Sequence, residues 1–234
     1  MSAKNYEIAM EIAGKTAMWT RPDTGDCPVS YPAPTYSATK GIFEAMLWGP
    51  AIQIVPTKVE ICAPLQYHNY QTNYGGARRK SGVIAGGGGF QLLATVLIDV
   101  CYRLYAEVSP MSGSTNDRVP DKARQWDAKT SSPGHAYRAI FNRRLNRGQC
   151  FTIPFLGWKE FGPNYFGPFR ETTKVWSDIN TVIPSMLREV FSEGYASECA
   201  FTYDQDVRIT EGVMGFFREG GRHVERTLSP LNGS

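Results

Sequence analysis

The stretch that most limits what this chain can fold into is "QLLATVLIDVCYRLYAEV", residues 91–108. Val100, Tyr102, Leu104 and Ala106 alternate with Cys101, Arg103 and Tyr105. A period of two over such a span places apolar side chains on one face of an extended strand and excludes an amphipathic helix. Its apolar portion, Leu92 to Ile98, is far too short to cross a bilayer.

The other elements follow from the same reasoning. In "YEIAMEI" Tyr6, Ile8, Met10 and Ile12 share a face opposite the glutamates, the pattern of a half-buried strand. A polar loop then covers 14–34. "PTYSATKGIFEAMLW" reads as a helix capped by Thr35 or Ser37, with Ile42, Phe43, Met46 and Leu47 on its apolar face. "QIVPTKVEICAP" is a strand. The segment "YHNYQTNYGGARRKSGVIAGGGGF" is too long and glycine-rich for a tight hairpin and reads as a loop. A second polar loop spans 109–132. "INTVIPSMLREVFSE" is expected to be helical, with Pro184 in its first turn, because Val182, Ile183, Met186, Leu187, Val190 and Phe191 recur at helical spacing. Residues 199–228 read as a strand and a hairpin. Strand, helix, strand, long strand, helix and strands in that order make an α+β pattern, compatible with a ferredoxin-like sheet.

Several chemistries are set aside. The 234 residues include five cysteines, Cys27, Cys62, Cys101, Cys150 and Cys199, with no CxxC pair and no histidine at zinc spacing. They are expected to be reduced thiols, mostly buried, in a cytoplasmic protein. The N-terminal "MSAKNYEIAMEI" has no apolar core of a signal peptide. "GVIAGGGGF" lacks the Gly-Lys-Ser/Thr ending of a phosphate loop, and no GxSxG or HExxH motif occurs. Asp23/Asp26 and Asp204/Asp206 read as solvated turn residues rather than metal ligands. No metal or cofactor is expected.

The basic features carry more. Net charge is only +3, so attraction to nucleic acid has to come from clusters. On a helix starting near His135, Tyr137, Ile140, Phe141 and Leu145 face one way, while Arg138, Arg143, Arg144 and Arg147 mostly face the other. No acid lies between Ala128 and Lys159, which distinguishes this face from an ordinary mixed-sign surface. Arg78, Arg79 and Lys80 form a second cluster behind Tyr67, Tyr70 and Tyr74, whose rings suit base stacking. Arg21 and Lys40 are isolated cations.

Five motifs in order and spacing carry a resemblance: "TRP" (Thr20 to Pro22), "VSYPAPT" followed by "KGIFEA", "RRLNRGQCF" and "PFLGWKEF". Over Tyr6 to Phe161 the chain resembles the Cas-five family of CRISPR-associated proteins in its type I-C form. The resemblance implies a ferredoxin-like (RRM-like) RNA-binding domain over 1–161 with a long β-hairpin, and a C-terminal extension, 162–234, forming a small β lobe with a helix and a hairpin. It implies a subunit of the Cascade surveillance complex that holds the 5′ handle of the guide RNA (crRNA). Such a subunit contacts the backbone and large subunits and meets target DNA only through the complex, with no membrane partner. The expected RNA-binding residues are Arg21, Tyr31, Lys40, Arg78, Arg79, Lys80, Arg138, Arg143, Arg144, Arg147, Trp158 and Lys159.

In the I-C branch the protein typically also cuts precursor RNA without metal, the 2′-hydroxyl attacking the adjacent phosphate. That activity uses a ring residue near the end of the first helix and a Lys-His pair at the start of the basic helix. Here the ring position falls on Leu47 and the pair on Ala136 and Tyr137, or on His135 and Ala136 with a one-residue slip. His135, Tyr137 and Arg138 are the catalytic candidates if cleavage is retained. The expectation is a handle-binding subunit that does not cut. The alternatives are a precursor-RNA endoribonuclease with a rearranged site and an RRM-like RNA-binding protein outside CRISPR.

Overall fold

A computed structural model describes residues 6–49, 52–74, 90–110, 121–122, 125, 133–190, 200–216 and 223–227. Its centre is the alternating strand read from the sequence. This strand, β4, runs from Phe90 to Pro110, while β1 is Tyr6–Ala17, β2 Ile52–Ile61 and β3 Tyr67–Tyr74. Three strands pair with β4, all antiparallel. β1 lies along its second half on one side and β2 on the other, and β3 pairs with its first half from Tyr67↔Leu97 to Tyr74↔Phe90. The remaining strands are β5 (Tyr165–Gly167), β6 (Thr181–Glu189), β7 (Ala200–Thr210), β8 (Val213–Gly215) and β9 (His223–Thr227). Together they form one nine-stranded sheet in the order β5-β1-β4-β2-β8-β7-β6, with β3 attached to β4 and β9 to β7.

Two helices, α1 (Tyr36–Met46) and α2 (Pro133–Asn146), cover the apolar face of this sheet. Thr35 caps α1 by accepting from the Ala38 N–H at 3.2 Å. Phe43 and Phe141 meet ring to ring, 5.7 Å apart, above Met10, Ile12, Val59 and Leu104, all of which are buried. Gly148, at φ +62°, ends α2 in the left-handed conformation that glycine adopts without cost, and Gln149 N–H closes onto the Arg144 carbonyl. Pro56 stands inside β2, where the register slips between Pro56 and Lys58, so the missing N–H falls on a bulge.

Four expectations change. Residues 181–189 are a strand, not a helix: β6 pairs with β7 from Thr181↔Ile209 to Glu189↔Thr202. Its apolar spacing is helical, but Thr181, Val182 and Ile183 favour the pleat and pairing with β7 overrides the period. Pro184 is tolerated because β6 is an edge strand and the ladder skips it. The segment 67–74, expected as loop, is β3; the glycine-rich residues after it lie outside the described residues. Glu11 is not on a solvated face but fully buried. Asp204 is no turn residue either. It lies in β7, 3% exposed, paired with Arg188 at 3.2 Å, and Arg188 stacks over the Tyr36 ring at 3.8 Å.

Candidate nucleic-acid interface

The apolar side of α2 seats Tyr137, Phe141 and Leu145 in the core. The opposite side carries the arginines, and the structure gives them different tasks. Arg143 and Arg147 are exposed one turn apart. Arg144 reaches back and donates to the Met46 carbonyl at 2.9 Å, supplying a cation to the negative end of α1. Arg138 is half-buried, its guanidinium 5.2 Å from the centre of the Tyr6 ring. A ridge of exposed apolar side chains adjoins the basic helix. Phe151 and Thr152 hydrogen-bond through their N–H groups to the Ala45 carbonyl. This sets Phe151 and Ile153, each 72% exposed, beside Trp48, 60% exposed, at the end of α1. Sequence reasoning missed Trp48, Phe151 and Ile153. The only signal for them was their position directly after α1 and after the arginine run.

The three catalytic candidates do not come together as a set: His135 and Arg138 meet on Tyr6, and Tyr137 turns away. His135 is exposed and meets the Tyr6 ring edge-on at 5.7 Å. Tyr137 is 8% exposed and turned inward, against Gly49, where a Cβ would come within 2.3 Å of its ring. Leu47, at the position where a ring would act, is buried. What remains at the surface is one imidazole and one guanidinium, His135 and Arg138, gathered on Tyr6.

Of the other candidates, Arg21 and Trp158 lie near β3. Arg21 is held by both carboxylate oxygens of Asp23, at 3.1 and 2.7 Å, which raises its already high pKa and lowers that of Asp23. Tyr31 is 2% exposed; its hydroxyl donates to the Ser185 carbonyl and accepts from the Leu187 N–H, tying the 18–35 segment to β6. Its ring is therefore inaccessible to a base. Arg21, Tyr67 and Asn180 line a cleft of about 710 Å³ between this segment and β6. Partial burial pushes the Tyr67 hydroxyl up from its ordinary range. Trp158 stacks on Phe161 at 5.7 Å and donates its indole N–H to Thr20. Lys159 beside it is exposed. Lys40 stands apart on α1, where burial raises the Glu44 pKa and the Lys40 charge partly offsets this. Arg78, Arg79 and Lys80 lie outside the described residues. Among the described residues no group of three acidic, histidine or cysteine side chains could hold a metal, and no helix is long and apolar enough to cross a membrane.

Residues 7–213 match a family model described as CRISPR-associated protein (Cas_Cas5). A CRISPR pre-crRNA endoribonuclease Cas5d of Mannheimia succiniciproducens is 30% identical over 174 residues, covering 68% of this chain and 71% of that protein. A protein of the same name from Thermus thermophilus is 29% identical over 168 residues, covering 69% of this chain; the match spans 63% of the Thermus protein. Among solved structures, a CRISPR-associated protein superposes with a TM-score of 0.70 at 18% identity. A functionally uncharacterized protein from Streptococcus mutans does so with 0.69 at 16%. Each comparison covers 97% of this chain and all of the other.

Proposed function

The chain belongs to the Cas5 family of CRISPR-associated proteins, and from that premise we propose that it is a Cascade subunit that binds the 5′ handle of the guide RNA and does not cut it. The observation that carries this reading is the acid-free basic face of α2, with Arg143 and Arg147 exposed one turn apart beside the exposed rings of Trp48 and Phe151. Two free guanidinium groups at that spacing suit successive phosphates, and the rings suit unpaired bases. Arg144 and Tyr31 serve the fold in this reading. Arg21, Tyr67, Trp158 and Lys159 form a second contact region for the same RNA, with Lys40 and the cluster at 78–80 as further cations.

A ferredoxin-like description of 1–161 is supported by the succession β1-α1-β2, β4-α2-β5 and the strand order β5-β1-β4-β2. In this division β5 lies just past the boundary, and the rest of 162–234 supplies the β lobe. We assign the backbone and large subunits of the complex as protein partners, target DNA as an indirect one, and the cytoplasm as the location. Family membership removes the reading of an RRM-like protein outside CRISPR.

Two relatives bear the name pre-crRNA endoribonuclease, which favours one second reading: metal-independent cleavage with His135 exchanging protons and Arg138 stabilising the phosphorane. Against it stand the buried apolar side chain of Leu47 and the inward turn of Tyr137. Incubating the protein with its cognate repeat RNA in EDTA separates the two. Binding without cleavage is expected. Specific products ending in 2′,3′-cyclic phosphate, absent in His135→Ala, would overturn the lead reading. Arg143→Ala with Arg147→Ala should reduce the slope of log K against log salt by about 1.4, two phosphates at about 0.7 each. An unchanged slope removes α2 from the RNA surface.

A further inference from the structure

Beyond Ile61↔Tyr102 the β2–β4 ladder continues by one rung, and that rung is a pair of cysteines. Cys62 N–H donates to the Cys101 carbonyl at 2.8 Å, so the two residues face each other across neighbouring strands. Tyr102 points into the core, which turns Cys101, and Cys62 opposite it, to the other face of the sheet. There the Cys101 thiol donates to Glu11 Oε1 at 3.7 Å. Directly opposed residues of an antiparallel pair have Cα atoms about 4.5–5.5 Å apart, and a disulfide needs about 4.4–6.8 Å. The Cα separation expected of this rung therefore lies within the range that a disulfide spans.

The surroundings make the two sulfurs unequal. Arg170 directs a guanidinium N–H to Cys101 Sγ at 3.6 Å, while Cys62 Sγ faces the Glu60 carbonyl, also at 3.6 Å. The neighbouring Cys62 thiol lowers the Cys101 pKa, with Arg170 adding to this against burial and the charge of Glu11. The Cys101 sulfur opposite it and burial raise that of Cys62. Both thiols are only partly buried, and they line a cleft of about 510 Å³ with Arg170, Thr173, Lys174 and Trp176. A small neutral oxidant can reach them.

We propose that Cys101 and Cys62 form a peroxide-sensitive dithiol, with Cys101 the attacking and Cys62 the resolving thiol. The Cys101 thiolate attacks one oxygen of hydrogen peroxide; an S–O bond forms, the O–O bond breaks and hydroxide leaves, taking up the thiol proton as water. The Cys62 sulfur then attacks the resulting sulfenic acid; the S–S bond forms, the S–O bond breaks and a second water leaves. The two thiols lose two electrons and peroxide gains them. In a reducing compartment such a disulfide is transient and is reopened by a small thiol.

The test uses the intact chain, freed of reductant, treated with hydrogen peroxide, alkylated and mapped by mass spectrometry. The expected product is an intramolecular Cys62–Cys101 disulfide that dithiothreitol reverses. In Cys62→Ser, dimedone should trap a sulfenic acid on Cys101, at a rate about tenfold above that of Cys150, which has no such cationic contact among the described residues. In urea this preference should disappear. Oxidation confined to Cys27 or Cys150, or dimedone labelling of Cys62 in Cys101→Ser at the wild-type rate of Cys101, would overturn the proposal.

Discussion

Replacing Glu11 by Gln tests how the loop after β5 is fastened to the sheet. The Glu11 carboxylate is fully buried and accepts from the Arg170 N–H at 3.0 Å, from Arg170 Nε at 2.6 Å and from the Thr173 hydroxyl at 2.9 Å. Arg103 Nε, buried and otherwise without a hydrogen-bond partner, stands 3.7 Å away. Glutamine keeps the shape but removes the charge, and one of its terminal atoms becomes a donor facing donors. Breaking a buried pair from one side costs about 3–5 kcal/mol. The Arg170 side chain is 41% exposed and regains water, which puts the expected loss at about 3 kcal/mol. For a chain of this size that is a drop in Tm of about 6–12 °C.

The pH dependence gives a second reading of the same contact. Burial works against the charge of Glu11, but the hydrogen bonds from Arg170 and Thr173 outweigh it and hold the carboxyl below its ordinary 4.5. A depressed carboxylate contributes stability that is complete above its unfolded pKa and is lost as pH falls through the folded one. The gap between wild type and Glu11→Gln should therefore be full at pH 7 and shrink progressively below pH 4.5. Urea unfolding of both proteins across that range measures it. A gap below about 1 kcal/mol at pH 7, or one that does not narrow in acid, refutes the buried-anchor reasoning.

Three further outcomes follow from named contacts. Arg144→Ala should cost about 1.5–3 kcal/mol in urea unfolding, the value of a hydrogen bond from a charged donor, and leave the salt slope of RNA binding unchanged, because its guanidinium serves Met46. Gly49→Ala should destabilise by about 1–3 kcal/mol, since the new methyl meets the Tyr137 ring at 2.3 Å; pairing it with a smaller residue at Tyr137 should recover part of the loss in a double-mutant cycle. Thr35→Ala removes the cap of α1 and should cost about 1 kcal/mol in the same assay.

The sequence announced those elements whose side chains answer to a single period. β4 alternates without ambiguity, and α1 combines a capping threonine with a four-residue apolar face, so both were legible. β6 was not, because Val182, Ile183, Met186 and Leu187 recur at helical spacing, and only pairing with β7 overrides that period. The arginines of α2 were legible as a cluster but not as individuals. Nothing in "IFNRRLN" says that Arg144 turns to a carbonyl of another helix while Arg143 faces solvent. The cysteine pair was hidden for a related reason. Cys62 and Cys101 are far apart in the chain, and only the register of the β2–β4 ladder makes them neighbours.

That β4 is the shared partner of β1, β2 and β3 also governs how the protein comes into being. Tyr6 pairs with Val108 and Ile52 with Pro110, so the first two strands find no mate on β4 until that fourth strand has left the ribosome. At about 5–20 residues per second, roughly 5–20 s of synthesis pass while apolar strands wait with open edges. Pairings of such long sequence separation also close slowly once the chain is complete. The strand that organises the finished molecule is thus the step on which its birth depends, and slower elongation through residues 52–90 lengthens the period in which the nascent chain is most exposed to aggregation.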